Sequence, residues 1–129
     1  KAMTMKIERF ADHVLTTHAG LGPNVNVHGT AFAGSLYAIQ ALTGWGMMHL
    51  QLQLNKLDAS IVIANGQIDY AKPVAEDIKV SCSFGEHLQE FEKLISTGKG
   101  RFALNTKVHL ADGTEAGGFS GLYAVRLNR

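Results

Sequence analysis

The segment that decides the fold is Asn24 to Gly46, which reads NVNVHGTAFAGSLYAIQALTGWG. It lies within a longer stretch, His13 to Asn55, in which none of the 43 residues is Asp, Glu, Lys or Arg. Thr30 suits a helix N-cap, because its hydroxyl can accept a hydrogen bond from the free backbone N–H groups of a first helical turn. We therefore predict a helix over about residues 31–55 that is apolar nearly all round and that other elements must wrap.

A membrane-spanning helix is the alternative for the apolar part of this segment. The segment carries too many small and polar residues for a span, and neither end has a cluster of Lys or Arg. These residues are Gly34, Ser35, Gln40, Thr43, Gly44, Gly46 and His49. The sequence therefore favours a helix buried within protein, and the glycines on either side of Trp45 indicate close approach by a partner helix.

The rest of the chain predicts strands on both sides of the helix. Short strands are expected over 5–11 and 13–18, turning near Ala11 and Asp12, and longer ones over 60–71, 77–84, 100–110 and 114–126. The segment 86–93 is left open as a helical turn or a loop. This order predicts an α+β fold, in which an antiparallel sheet packs one face against one long helix. A second copy would cover the remaining edges, so we expect a homodimer and leave a tetramer open.

Composition excludes several classes of protein. The 129 residues form one expected domain, 1–129, with 46% hydrophobic residues and a net charge of +1, which speaks against a disordered chain and against nucleic-acid binding. The single cysteine, Cys82, excludes an internal disulfide and a thiolate metal cluster, and we predict no metal site. No signal peptide is visible, so we expect a cytoplasmic protein. Because residue 1 is Lys rather than Met, a missing native N-terminal segment is left open.

Four segments together resemble a known family. They are Asn24–Tyr37 (NVNVHGTAFAGSLY), Leu42–Gly46 (LTGWG), Tyr70–Val74 (YAKPV) and Phe119–Tyr123 (FSGLY). They resemble the C-terminal domain of the YiiD acyltransferase and its stand-alone thioesterase-like relatives. The resemblance implies a hot-dog fold, in which a long antiparallel sheet wraps a central helix. It also implies a site at a dimer interface near the start of that helix, acting on acyl groups held as thioesters on coenzyme A or acyl carrier protein.

The resemblance leaves two reactions open, because part of the family is associated with decarboxylating malonyl thioesters and the usual activity of the fold is hydrolysis. Hydrolysis needs an activated water or a carboxylate nucleophile, and the chain has no carboxylate between Asp12 and Asp58. Decarboxylation needs only uncharged donors for the enolate oxygen, which an amide, hydroxyls and a helix start supply. We therefore expect malonyl decarboxylation to the acetyl thioester, feeding fatty acid synthesis, with no cofactor besides the coenzyme A or phosphopantetheine that carries the substrate.

The candidate site residues come from the motif before and within the first helical turn. Those expected to be catalytic are Asn26, Thr30 and Ser35. Those expected to bind substrate are Asn24, His28, Phe32, Ala33, Gly34 and Tyr70. Asn24 and Asn26 equally suit a turn, and Thr30 a helix cap without catalysis.

Two other functions stay open at this point. An acyl-thioester hydrolase would use His28 or Asp69 as its base, and a non-catalytic module would bind acyl thioesters or a carrier protein without turnover. In either case Lys72, Lys99 and Arg101 are candidates for the phosphates of coenzyme A or the acidic face of a carrier protein.

Overall fold

The structure is a computed structural model that describes residues 5–20, 33–70, 72, 74 and 76–128, with the backbone alone described for residues 33–35 and 70. Within these residues the strands are β1 (Lys6–Ala11), β2 (Val14–Ala19), β3 (Ala59–Tyr70), β4 (Ile78–Ser83), β5 (Lys99–His109) and β6 (Glu115–Leu127). The α-helices are α1 (Ala33–Leu54) and α2 (Leu88–Thr97), with a 3₁₀ turn over Gly85–His87 before α2.

The strands form one antiparallel sheet in the order β1-β2-β4-β5-β6-β3. The chain enters α1 after β2 and leaves it for β3 on the far edge of the sheet. Only residues 55–58 join α1 to β3, so β3 runs back along the helix and its C-terminal end lies toward the start of α1. The predicted α+β class, with an antiparallel sheet packed against one long helix, is confirmed.

The core lies between α1 and the sheet. Helix residues Ile39, Met47 and Met48 are fully buried there. On β2, β4 and β5, and along most of β6, about every second residue is buried, as the period-2 pattern predicts. These buried residues include Ile78, Val80, Cys82, Phe102, Leu104, Val108, Phe119, Tyr123 and Val125. Residues between them on β5, such as Arg101 and Asn105, are exposed on the outer face of the sheet.

The glycines beside Trp45 are close to the sheet of the same chain, which corrects the expectation of a partner helix. A methyl group built on Gly44 would overlap the hydroxyl group of Tyr123 from β6. A methyl group on Gly46 would lie 3.4 Å from the Leu15 side chain of β2. The missing side chains therefore let α1 lie close against its own sheet.

The segment left open over 86–93 contains a second helix. In α2 the buried residues Phe91 and Leu94 share one face. Phe91 packs against Phe84 and Phe102, with ring centroids 5.8 and 6.3 Å away. Gly98 ends α2 with a φ of 87° and donates its N–H to the Leu94 carbonyl at 2.8 Å, a geometry that favours glycine.

The turn between β1 and β2 falls on Asp12 and His13, one residue later than predicted. Both residues have positive φ values, 53° and 61°. The described part of the chain contains no helix that is long and apolar enough to cross a membrane. Nor does it bring together three His, Cys, Asp or Glu side chains that could hold a metal ion.

Candidate active site

The predicted site is divided between described and undescribed residues. Asn24, Asn26, His28, Thr30 and Phe32 lie outside the described residues, so their predicted roles stay predictions.

Four further predicted residues are placed by their backbone. Ala33, Gly34 and Ser35 form the first turn of α1, and Tyr70 is the last residue of β3. Since β3 runs back along α1, these two ends lie on the same side of the molecule. The rest of the motif, within residues 21–32, directly precedes this helix start in the sequence.

The start of α1, as far as the structure describes it, is an electropositive end with no acidic residue in its own first turn. The first turn has no acidic residue, and the last turn has no basic one. A helix of 22 residues carries a partial positive charge at its N-terminus, together with backbone N–H groups that have no partner within the helix. This end of α1 can therefore stabilise a negative oxygen without any charged side chain.

Asp69 lies on the face of the sheet that points away from α1. It is exposed and lies opposite Gly118 in the register between β3 and β6, whereas its neighbour Ile68 packs into the core. Asp69 lines a hollow on the outer face together with Gln67, Asn105, Lys107 and Ser120. Within one chain Asp69 therefore does not face the start of α1, and its role as the base of a hydrolase stays a prediction.

The thiol of Cys82 is excluded as a nucleophile by its surroundings. Cys82 is buried between α1 and the sheet, and burial, with a smaller contribution from the charge of Glu86, raises the pKa of the thiol to about 12. At neutral pH the thiol stays protonated, and a protonated thiol is a poor nucleophile.

Three aromatic side chains, Tyr37, Phe119 and Tyr123, lie between α1 and the sheet beyond the first turn of α1, and we call them the aromatic wall. Tyr37 lies one turn into α1, and its ring meets Phe119 edge to face with centroids 5.0 Å apart. Gly66 of β3 makes room for both rings: a methyl group there would overlap the Tyr37 hydroxyl and lie 2.9 Å from the Phe119 ring. Tyr123 continues the wall, and its hydroxyl donates a 2.7 Å hydrogen bond to the Ala41 carbonyl.

Two buried polar pairs, which the sequence reasoning missed, tie α1 to the sheet. The Thr106 hydroxyl of β5 donates to Gln40 Oε1 at 2.9 Å, and the Thr17 and Thr43 hydroxyls are 2.8 Å apart. Buried polar groups without partners are costly, so these pairs fix the rotation of the helix. The signal in the sequence was two polar residues, Gln40 and Thr43, inside an apolar helix.

Comparison with known proteins shows which family shares this architecture. Residues 1–127 match the family described as "Putative thioesterase (yiiD_Cterm)". A thioesterase of Shewanella oneidensis, also described as putative, is 37% identical, with 95% of this chain and 83% of that one covered and a TM-score of 0.84.

Two further structures are similar in shape. A protein of unknown function from Chlorobaculum tepidum is 29% identical, with 98% and 85% of the two chains covered and a TM-score of 0.88. A thioesterase of Haemophilus influenzae is 10% identical, covers 98% of this chain and 80% of its own, and has a TM-score of 0.76, a likeness of fold alone. The chain therefore has the hot-dog fold and belongs to the family of the YiiD C-terminal domain.

Proposed function

We propose that this protein acts on short acyl thioesters of acyl carrier protein or coenzyme A, and that its reaction is the decarboxylation of a malonyl thioester. One observation carries this choice. The helix N-terminus at the start of α1 lies within a segment, His13 to Asn55, that contains no acidic residue. The one acid on β3 close to this end, Asp69, is exposed on the outer face of the sheet.

The reaction suits a site without a charged base. The bond between the carboxylate and the α-carbon breaks, carbon dioxide leaves, and the electron pair moves into the thioester carbonyl to give an enolate. Protonation of the α-carbon by water then gives the acetyl thioester. The catalytic need is stabilisation of the enolate oxygen, for which uncharged donors are each worth about a hundred- to a thousandfold in rate.

The roles of individual residues belong to this proposal. Asn26 donates its side-chain N–H to the thioester oxygen, and Ser35 and Thr30 hold the malonyl carboxylate. Gly34 lets the thioester lie against the first turn of α1. The reaction needs no cofactor besides the carrier of the acyl group.

The aromatic wall supports a short acyl group. Tyr37 lies three residues after Gly34, and its ring occupies the space between α1 and β3 that a longer chain would need. From Tyr70 to Gly66 is about 13 Å along the strand, so the room before the wall is limited. A malonyl or acetyl group is therefore the expected size of substrate.

Hydrolysis of acyl thioesters is the second candidate, because the matching family and the similar protein of Shewanella oneidensis are described as putative thioesterases. In that case His28 is the candidate base within the motif. Mass spectrometry of the products from malonyl-coenzyme A and malonyl-carrier protein separates the two. Acetyl thioester and carbon dioxide support decarboxylation, whereas malonate and free thiol establish hydrolysis.

The first mutational prediction concerns Asn26. Asn26→Ala should lower the decarboxylation rate by about a hundredfold or more, because it removes one donor to the enolate oxygen. The matched control is Asn105→Ala, since Asn105 is exposed on the outer face of β5 and should leave the rate unchanged. A rate for Asn26→Ala within a fewfold of wild type, with the protein folded, would remove Asn26 from the mechanism.

We also propose that the active unit is a homodimer paired along β3. This strand is at the edge of the sheet and exposes Val62 at 60% and Ile63 at 40% of their surface. The neighbouring helix exposes 37% of Tyr37 and of Trp45. An apolar edge strand of 12 residues invites pairing with a second copy.

A further inference from the structure

Three basic side chains lie together on the outer face of the sheet, at the end far from the start of α1. Lys99 of β5 lies directly opposite Arg126 of β6, and Arg101 follows two residues later on the same face of β5. All three residues are exposed. We call Lys99, Arg101 and Arg126 the basic strip.

The basic strip differs from Lys79 and Lys107 on the same face, because each of those lysines forms an ion pair with a carboxylate. Among the described residues, no carboxylate lies within ion-pair distance of any of the three side chains. In contrast, Lys79 pairs with Glu8 at 3.3 Å and Lys107 pairs with Glu115 at 3.3 Å. Like charges directly opposite each other on neighbouring strands destabilise a sheet. An anion bound between them would remove this repulsion.

The strip lines a groove of about 600 Å³. None of the described residues that line this groove is acidic. The lining also includes Ser60 of β3 and the exposed apolar side chain of Val62. The groove therefore offers three cations and a hydroxyl next to an apolar surface. This combination suits phosphate groups attached to a flat, partly apolar body such as a nucleotide base.

The size of the strip favours a small polyanion over a protein surface. Directly paired side chains on neighbouring strands are about 5 Å apart, and residues two apart on one strand about 7 Å. The next pair on the same face is Ala103 and Leu122, which carries no charge. A compact group of three cations matches a diphosphate with one further phosphate, whereas an acidic protein face would match a longer row of charges.

We propose that the basic strip binds the diphosphate and 3′-phosphate of the coenzyme A that carries the acyl group. This inference rests on the proposed function, since it names the carrier of the same substrate. The guanidinium groups of Arg101 and Arg126 supply planar paired donors for phosphate, and Lys99 supplies a point charge.

The test is calorimetric titration of coenzyme A, dephospho-coenzyme A and pantetheine into wild type and three variants. Arg101→Gln should weaken the binding of coenzyme A by about tenfold, because charge-assisted hydrogen bonds are lost. The combined variant Lys99→Gln, Arg101→Gln, Arg126→Gln should abolish it. The matched control, Lys107→Gln, removes a paired cation from the same face of β5 and should bind coenzyme A as wild type does.

Each result decides the proposal. Loss of coenzyme A affinity in the combined variant, with the affinity for pantetheine kept, supports the strip as the phosphate site. Equal affinity of wild type and the combined variant for coenzyme A overturns it. If the combined variant has a lower rate only with malonyl-carrier protein, and its affinity for coenzyme A is unchanged, the proposal is also overturned and the strip is assigned to a protein partner.

Two readouts keep this result separate from folding and from the proposed function. Because the strip repels itself, the combined variant should melt at the same temperature as wild type or higher. Binding is measured without turnover, so a lack of decarboxylation would count against the proposed function and leave the strip standing. Conversely, decarboxylation of malonyl-pantetheine with no binding of coenzyme A would overturn only the strip.

Discussion

At the scale of single residues, glycines decide where the aromatic rings lie. Gly66 and Gly121 on neighbouring strands both face α1, and a methyl group on either would crowd the ring of Phe119. The space freed on β3 is occupied by Tyr37, which reaches across from the helix. In the proposed site, the room for the acyl chain would therefore depend on Tyr37, whose position depends on Gly66 of β3.

We predict that Tyr37 limits the acyl chain. Tyr37→Ala should remove the near side of the wall and allow chains of six to eight carbons to bind. Because each methylene group in a fitted apolar pocket is worth about tenfold or more, the preference for short chains should fall by at least that factor. The measurement is the affinity for S-alkyl thioethers of coenzyme A with two to eight carbons, which neither candidate reaction consumes.

The control for this prediction is Tyr37→Phe, which keeps the ring against Phe119 and removes only the hydroxyl. Its preference for chain length should equal that of wild type. An unchanged preference in Tyr37→Ala would place the end of the acyl site elsewhere.

Two buried acids of the core predict a loss of stability at high pH. Burial raises the pKa of the Cys82 thiol to about 12 from its ordinary value of 9.0, and it raises the pKa of the Tyr123 hydroxyl above its ordinary value of 10.0. The folded state therefore holds these protons at a pH where the unfolded chain releases them. The stabilisation is complete below pH 9 and falls as the pH rises toward 12.

In urea titrations, the free energy of unfolding should fall by up to about 1.4 kcal/mol per pH unit for one such group. Between pH 9 and 10 Cys82 should account for most of the fall, so Cys82→Ala should show a flatter profile there than wild type. Parallel profiles for the two proteins would contradict the raised pKa of the thiol.

At the scale of elements, long or strongly periodic sequence patterns predicted helices and strands, whereas a short, irregular pattern did not. The charge-free run predicted α1, found at Ala33–Leu54, and the alternation over 77–84 predicted β4. The helix α2 was left open, because only two of its residues, Phe91 and Leu94, are buried and it also exposes the apolar side chains of Leu88 and Ile95. So short an amphipathic pattern resembles a loop until the core that receives it is known.

The composition of the candidate site comes from the sequence and stays a prediction, whereas its arrangement needed the structure. The motif indicated the start of α1 and the end of β3, which the topology brings to one side of the molecule. The outward direction of Asp69 depends on the register of β3, which shifts between Ile63 and Asn65. Such an irregularity reverses which residues face the helix, and the local sequence did not predict it.

The basic strip shows the same limit for residues distant in sequence. Lys99 and Arg101 were candidates from the sequence, but Arg126 was not, because its place beside Lys99 depends on the pairing of β5 with β6. Charge repulsion across a pair of strands cannot be seen before that register is known.

At the scale of the whole molecule, the proposed dimer would bring the basic strip of one subunit close to the candidate site of the other. Within one chain the strip adjoins the Ala59 end of β3, and the start of α1 adjoins the Tyr70 end. A two-fold axis normal to the sheet would pair β3 with the β3 of a second copy in antiparallel fashion. The strip of one subunit, on the outer face, would then lie at the same end of the joined sheet as the helix start of the other, on the inner face, and one coenzyme A passing around this end would contact both chains.

This arrangement predicts complementation between two defective chains. Co-expression of Asn26→Ala with the combined strip variant, under two different affinity tags, allows purification of the mixed dimer. One of its two sites would have a normal motif and a normal strip, so decarboxylation of malonyl-coenzyme A should reach about half of the wild-type rate. If motif and strip served the site within one chain, both sites would be defective and the mixed dimer would be nearly inactive. Light scattering on the purified material measures the dimer itself, and a monomer of full activity would contradict the shared site.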